Sequence, residues 1–128
     1  MIERITSTGG PAPRGPYSPA VKAGDYVFVS GQVPLDPATG QIADGGVGPQ
    51  TRQTLLNIQR ILEGCGATMA QVVRCGVFLV DVADFKAMNE VYTEFFDQGK
   101  PARTTVQVAA LPLAGARVEI DAVAYVGK

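Results

Sequence analysis

The apolar positions of this chain change period several times, and each change marks an element. Tyr26–Val33 is a nearly unbroken β-branched and aromatic run that follows the Gly24–Asp25 turn signal, and it predicts a strand covered on both faces. Pro34 ends it. Asp36-Pro37-Ala38-Thr39-Gly40 has turn composition, and residues 41–48 continue as a loop. Beyond that the period becomes helical. Thr51, Leu55, Ile58, Leu62 and Cys65 recur on one face, Pro49 suits a first turn, and Gly64 and Gly66 suit the end, which predicts a helix over 49–64. Val72–Val82 reads as a second apolar strand. Asp84 then offers an N-cap to a second helix with the stripe Phe85, Met88, Val91, Tyr92 and Phe95, ended by Gly99 and Pro101.

Two alternating strands close the chain. In Arg103–Ala109, Thr104, Val106 and Val108 share one face, and Arg103, Thr105 and Gln107 the other. In Arg117–Val126, Val118, Ile120, Ala122 and Ala124 form an apolar face opposite Arg117, Glu119 and Asp121. Residues 1–25 are rich in Gly and Pro and should be extended or turned, with a short strand at Ile2–Thr6 and disorder open for 7–15. The predicted order is β-β-α-β-α-β-β over one domain, residues 1–128. That is an α+β layer, two helices on one side of a mixed sheet. Two helices cover only one face of such a sheet, so its second apolar face predicts packing of subunits sheet to sheet in a symmetric oligomer.

Composition narrows the chemistry. The 128 residues carry 11 basic and 12 acidic side chains, a net charge of −1, which argues against a dedicated nucleic-acid or anionic-membrane binder. No histidine is present, which excludes a histidine base, a Ser-His-Asp or Cys-His site and any histidine-ligated metal. Cys65 and Cys75 have neither zinc nor C-x-x-C spacing and read as small hydrophobes of a reduced, cytosolic protein. The first residues lack the apolar core of a signal peptide, and no apolar run approaches the ~20 residues of a membrane span.

Gly45-Gly46-Val47-Gly48 lacks the Lys-Ser/Thr of a phosphate loop and reads as a flexible connection. The acidic residues are too scattered for a calcium or magnesium cage. Arg103, at the start of a strand, is suited to grip a carboxylate through two parallel hydrogen bonds. Glu119, within an otherwise apolar strand, could hold or activate a water. The alternation leaves another outcome open, in which the two residues pair with each other or stand solvated at an edge. The register that would decide is not written in the sequence. Tyr17 in its Pro-framed segment, Ser30 beside Gly31, and Asn89 next to the helix stripe are further candidates, each equally compatible with a packing or hydrogen-bonding role.

These segments resemble the RidA/YjgF family of imine/enamine deaminases. The resemblance runs from about Gly15 to Ala124, in order: Gly15-Pro16-Tyr17-Ser18-Pro19-Ala20, Val29-Ser30-Gly31-Gln32-Val33-Pro34, Asp36-Pro37-Ala38-Thr39-Gly40, Gln50-Thr51-Arg52-Gln53 with Asn57-Ile58, Asp84-Phe85, Met88-Asn89, Val91-Tyr92, Phe95-Phe96, Pro101-Ala102-Arg103 and Val118-Glu119-Ile120. It implies a chorismate-mutase-like α+β fold assembled as a homotrimer, with pockets between subunits and no metal or organic cofactor. Carried over by motif, Arg103 would clamp the substrate carboxylate and Glu119 would hold the attacking water. Tyr17, Ser30, Gly31 and Asn89 would line the pocket, with Thr105 beside it. The implied reaction is hydrolysis of 2-imino or 2-enamino acids of the 2-aminoacrylate type to 2-keto acids and ammonia, in metabolite damage control or nitrogen catabolism. The alternative is a trimer that binds small carboxylates such as keto acids without turnover, and it would need Arg103 but not Glu119. Chaperone and ribonuclease activities have also been attached to relatives. Two departures from the family's archetypes, Thr105 where many carry Cys and only four residues between Phe96 and Pro101, bear on the substrate's side chain more than on the reaction.

Overall fold

The computed structural model describes residues 1–6 and 9–127. Positions 7 and 8, part of the segment for which disorder was open, lie outside the described residues, and 9–18 run as bends and extended chain. Six strands form one sheet: β1 (Ile2–Ile5), β2 (Ala20–Ala23), β3 (Tyr26–Gln32), β4 (Val72–Leu79), β5 (Ala102–Gln107) and β6 (Val118–Tyr125). Their spatial order is β1-β2-β3-β6-β4-β5. Only β4 and β5 are parallel; the other neighbours are antiparallel. Helix α1 (Val47–Gly64) connects β3 to β4, and α2 (Phe85–Phe95) connects β4 to β5. The α+β expectation holds, with β2 added to the predicted elements.

Both helices bury their stripes against one face of the sheet. Leu55, Ile58, Ile61, Leu62 and Met88 meet Val27, Val29, Cys75, Val77, Leu79, Val118, Ile120, Ala122 and Ala124 in one continuous core. Glycine at 45 and 46 takes the positive φ values (104° and 92°) that turn the chain into α1. At the other end Gly66, at φ 76°, closes a Schellman motif: its N–H donates to Glu63 O at 3.1 Å, and Ala67 N–H to Leu62 O at 2.8 Å. Two buried amides fasten α1 to distant chain. Asn57 Nδ2 donates to Val33 O (3.2 Å) and Leu35 O (2.8 Å). Gln50 donates to Gly115 O (3.0 Å) and accepts from Arg117 N–H (2.7 Å).

Several expectations change. Asp84 does not cap α2 with its side chain. Asp81 does the capping, accepting from Ala83 N–H at the head of a 3-10 turn (Val82–Asp84) that leads into the helix. Asp84 instead takes Arg117 in a bidentate pair at 2.9 and 3.0 Å, which locks the approach to β6 onto the start of α2. β3 is covered on one face only, since Tyr26 and Phe28 are 43% and 47% exposed while Val27 and Val29 are buried. On that open face Tyr26 packs on Tyr125 with ring centroids 5.3 Å apart. Cys75 is buried and Cys65 half-buried, and both are free thiols.

Candidate active site

The alternation of β5 places Arg103 and Thr105 toward the helices and Thr104 and Val106 outward. Arg103 lies under α2, its guanidinium carbon 4.7 Å from the centre of the Tyr92 ring and 5.6 Å from that of Phe85. Aromatic faces attract a cation but leave its N–H fork unsatisfied. Among the described residues no carboxylate pairs with Arg103. It opens into a cleft of about 370 Å³ shared with Asn89, Tyr92, Thr93, Phe96, Lys100 and Pro101. Asn89 Oδ1 in the cleft and Thr105 Oγ1, two residues along β5, are buried without a hydrogen-bond partner among the described residues, and the Tyr92 hydroxyl interacts with Cys75 and Arg103. Burial raises the Tyr92 hydroxyl pKa, with the neighbouring Cys75 adding to the rise and Arg103 opposing it. The Cys75 thiol, which pairs in register with Arg103, is pushed up to about 11, chiefly by burial. Arg103 is thus a cationic neighbour that the sequence did not show, but Cys75 remains a protonated thiol at neutral pH.

Glu119 occupies a different place. A β-bulge between Val29 and Gln32 sets Ser30 and Gly31 against the single residue Asp121 of β6. The extra residue inverts the strand's parity, so that Gln32 rather than Gly31 follows Val27 and Val29 into the core. Gly31 is left under Glu119, where a Cβ would stand 3.0 Å from the Glu119 carboxyl carbon and overlap a carboxylate oxygen. Glu119 lines a cleft of about 430 Å³ with Arg14, Tyr17, Ser30, Gly31, Val33, Pro112 and Leu113. Its carboxylate has no hydrogen bond or ion pair among the described residues, and its pKa is raised, first by burial and then by Asp121. Ser30 Oγ donates to Ser18 O at 2.6 Å and so ties the Pro-framed segment to β3. Tyr17 Oη accepts from Arg14 N–H at 3.2 Å.

The proposed residues therefore fall into two groups. Tyr17, Ser30 and Gly31 gather around Glu119; Asn89 gathers with Arg103; Thr105 lines neither cleft. Arg103 and Glu119 do not share a pocket within one chain, nor do they pair. Register shows why. Arg103 stands beside Cys75 of β4 and Glu119 beside Phe78, three positions apart on one strand and hence on opposite faces of the sheet. Sequence reasoning passed over Arg14, Pro112, Leu113 and the polar end of Tyr92. Arg14 stands in the same Pro-framed segment as Tyr17, which was the available signal; the loop prolines gave none.

A mixed six-stranded sheet with both helices on one face and a polar cleft on each side defines a YjgF-like α+β protein. The chain belongs to the RidA/YjgF family: the family model described as Endoribonuclease L-PSP matches residues 8–126. A RutC family protein of Pyrococcus horikoshii is 48% identical over 125 residues, 98% of each chain. The 2-iminobutanoate/2-iminopropanoate deaminase of Homo sapiens is 43% identical over 128 residues, 99% of this chain and 93% of that protein. Among solved structures, RidA from an Antarctic Psychrobacter is 41% identical with a TM-score of 0.90, covering 96% of this chain and 98% of its own. Escherichia coli TdcF with bound serine is 38% identical with a TM-score of 0.89, over the same shares of the two chains.

Proposed function

We propose that this protein hydrolyses 2-imino and 2-enamino acids to 2-keto acids and ammonia, in a homotrimer whose pockets join the Arg103 cleft of one subunit to the Glu119 cleft of the next. The observation that carries this reading is the pair of unpartnered groups on opposite faces of one sheet. Among the described residues an arginine over two aromatic rings lacks an anion, and a half-buried carboxylate of raised pKa lacks a donor. A small carboxylic acid bearing a C=N bond supplies what each lacks. Arg103 receives the substrate carboxylate in two parallel hydrogen bonds and fixes the imine carbon. Glu119 takes a proton from a water as its oxygen adds to the carbon of the N-protonated imine, and the C=N electrons become the nitrogen lone pair. Glu119 then returns that proton to the amine and takes the proton of the carbinol hydroxyl as the C–N bond breaks, so that the keto group forms and ammonia leaves, carrying the proton off as ammonium. An enamine enters the same route after protonation at its carbon terminus. The deaminase name of the human relative supports the reaction class. RNA cleavage, suggested by the family description, fits less well with a chain of net charge −1 that contains no histidine.

The test generates 2-imino acids with an amino-acid oxidase and lets semicarbazide compete for them. Wild type should lower semicarbazone formation. Arg103→Ala should lose about a hundredfold in kcat/KM, the order expected when a reactant loses its orientation. Glu119→Gln should keep binding but lose turnover. A wild-type rate equal to buffer on aliphatic, aromatic and aminoacrylate-type substrates would sink the reading. Keto-acid binding that depends on Arg103 would then favour a non-catalytic carboxylate-binding trimer.

A further inference from the structure

The carboxylates of β6 stand over glycines. Glu119 and Asp121 alternate onto the same open face, and each lies against a glycine of a neighbouring strand, Glu119 against Gly31 of β3 and Asp121 against Gly76 of β4. A Cβ at Gly76 would stand 2.7 Å from Asp121 Oδ1 and 3.3 Å from the Phe78 ring, so glycine is what lets the carboxylate approach the backbone. The approach is used: Gly76 N–H donates to Asp121 Oδ1 at 2.7 Å. Glu119 has no such donor among the described residues. Two carboxylate residues whose backbone positions lie ~7 Å apart along one strand are thus made unequal, one tethered and one free.

We infer that Asp121 is a positioning residue for Glu119: tethered by Gly76, it holds a fixed negative charge beside the group that carries the proton in the proposed hydrolysis. The inference rests on that proposed function. A nearby negative charge disfavours the ionised form of a carboxylate and strengthens it as a proton acceptor. The direction agrees with the raised pKa of Glu119, to which Asp121 contributes after burial. The other groups facing Glu119 do not duplicate it. β3 presents Ser30 and Gly31, β4 presents Phe78, and the loop before β6 presents Pro112 and Leu113. Arg14 and Tyr17 come from the N-terminal segment, Arg117 is engaged by Asp84, and Arg74 donates to Thr104.

The experiment is the pH dependence of kcat/KM for 2-iminobutanoate hydrolysis in wild type, Asp121→Asn, Asp121→Ser and Asp121→Glu. Asn and Ser keep an acceptor for Gly76 N–H and remove the charge. With the charge gone Glu119 ionises more readily, so the acid limb should move to lower pH. The fraction of plateau activity retained on that limb should rise about threefold, the order expected for one charge at this separation near a hydrated surface. Asp121→Glu, which keeps the charge, should leave the limb in place even if the rate falls. Limbs that coincide in all four proteins, with rates lowered uniformly, would reduce Asp121 to a structural role. If wild type shows no hydrolysis, the proposed function falls, and carbon NMR titration of the Glu119 carboxyl decides between the same alternatives: a lower midpoint in the neutral variants upholds the coupling, an unchanged one removes it.

Discussion

Glu119 depends on an absence, the missing side chain of Gly31. Gly31 is not among the glycines with positive φ, so its backbone would accept alanine, and the nearest atoms a Cβ would meet all belong to the Glu119 side chain. Gly31→Ala should therefore displace Glu119 without unfolding the protein. We expect kcat/KM for imine hydrolysis to fall about tenfold or more, the order that follows a sub-ångström to ångström misplacement of a reacting group. The melting temperature should shift by only a few degrees, about what 1 kcal/mol produces in a chain of this size. Parallel kinetics and thermal melts check both halves; a large loss of melting temperature would mean that Gly31 serves packing instead. At this scale the sequence is informative about residue types and silent about faces. Arg103 and Glu119 stand out as charges in alternating strands, but whether they meet depends on their register with β4, which pairs with both.

At the scale of elements, α1 is the fastener. Its apolar period is plain in the sequence, and its limits came within two residues of Val47–Gly64. Its buried amides were not distinguished from its solvent face, because a period of apolar residues says nothing of a glutamine or asparagine turned inward. Asn57 is fully buried and satisfies the carbonyls of Val33 and Leu35 at once. Removing it leaves the Leu35 carbonyl without a donor, while Val33 O keeps the Leu35 N–H at 2.7 Å, so Asn57→Ala should cost about 1–3 kcal/mol, measurable as a lower urea midpoint with unchanged m-value. β2 escaped notice for a different reason. Ala20–Ala23 is four residues long and carries no strong β-former besides Val21; it is a strand because β1 and β3 pair with it on either side. The start of α2 at Phe85, with Asp84 in the N-cap position, was legible; that Asp84 makes no capping bond was not, because its carboxylate is taken by Arg117, more than thirty residues downstream, while Asp81 caps the turn before the helix.

For the whole molecule the open face of the sheet is the deciding feature. Tyr26, Phe28, Val106 and Tyr125 are each more than a third exposed in the isolated chain, an apolar surface that a second copy would cover. The open apolar face was legible from strand composition alone; the separation of Arg103 from Glu119 was not, because alternation fixes faces only within a strand. Phe28→Asp should leave the core intact, since that side chain lies outside it. In sedimentation the variant should run as a smaller species than wild type and should lose most of its imine hydrolysis along with the assembly. Full activity in a monomeric Phe28→Asp would place the whole site within one chain.

The opposite orientation of Arg103 and Glu119 also shapes how defects would combine. In the proposed trimer a chain lacking the arginine and a chain lacking the glutamate would each be inert alone. Mixed at random in one ring, a glutamate-deficient copy still lends its arginine and an arginine-deficient copy its glutamate, so about a quarter of the junctions are whole. Two broken alleles in one cell would therefore complement each other, whereas two copies of the same broken allele would not. Selection on the proposed assembly would act on the junction between neighbours rather than on any one copy of the chain.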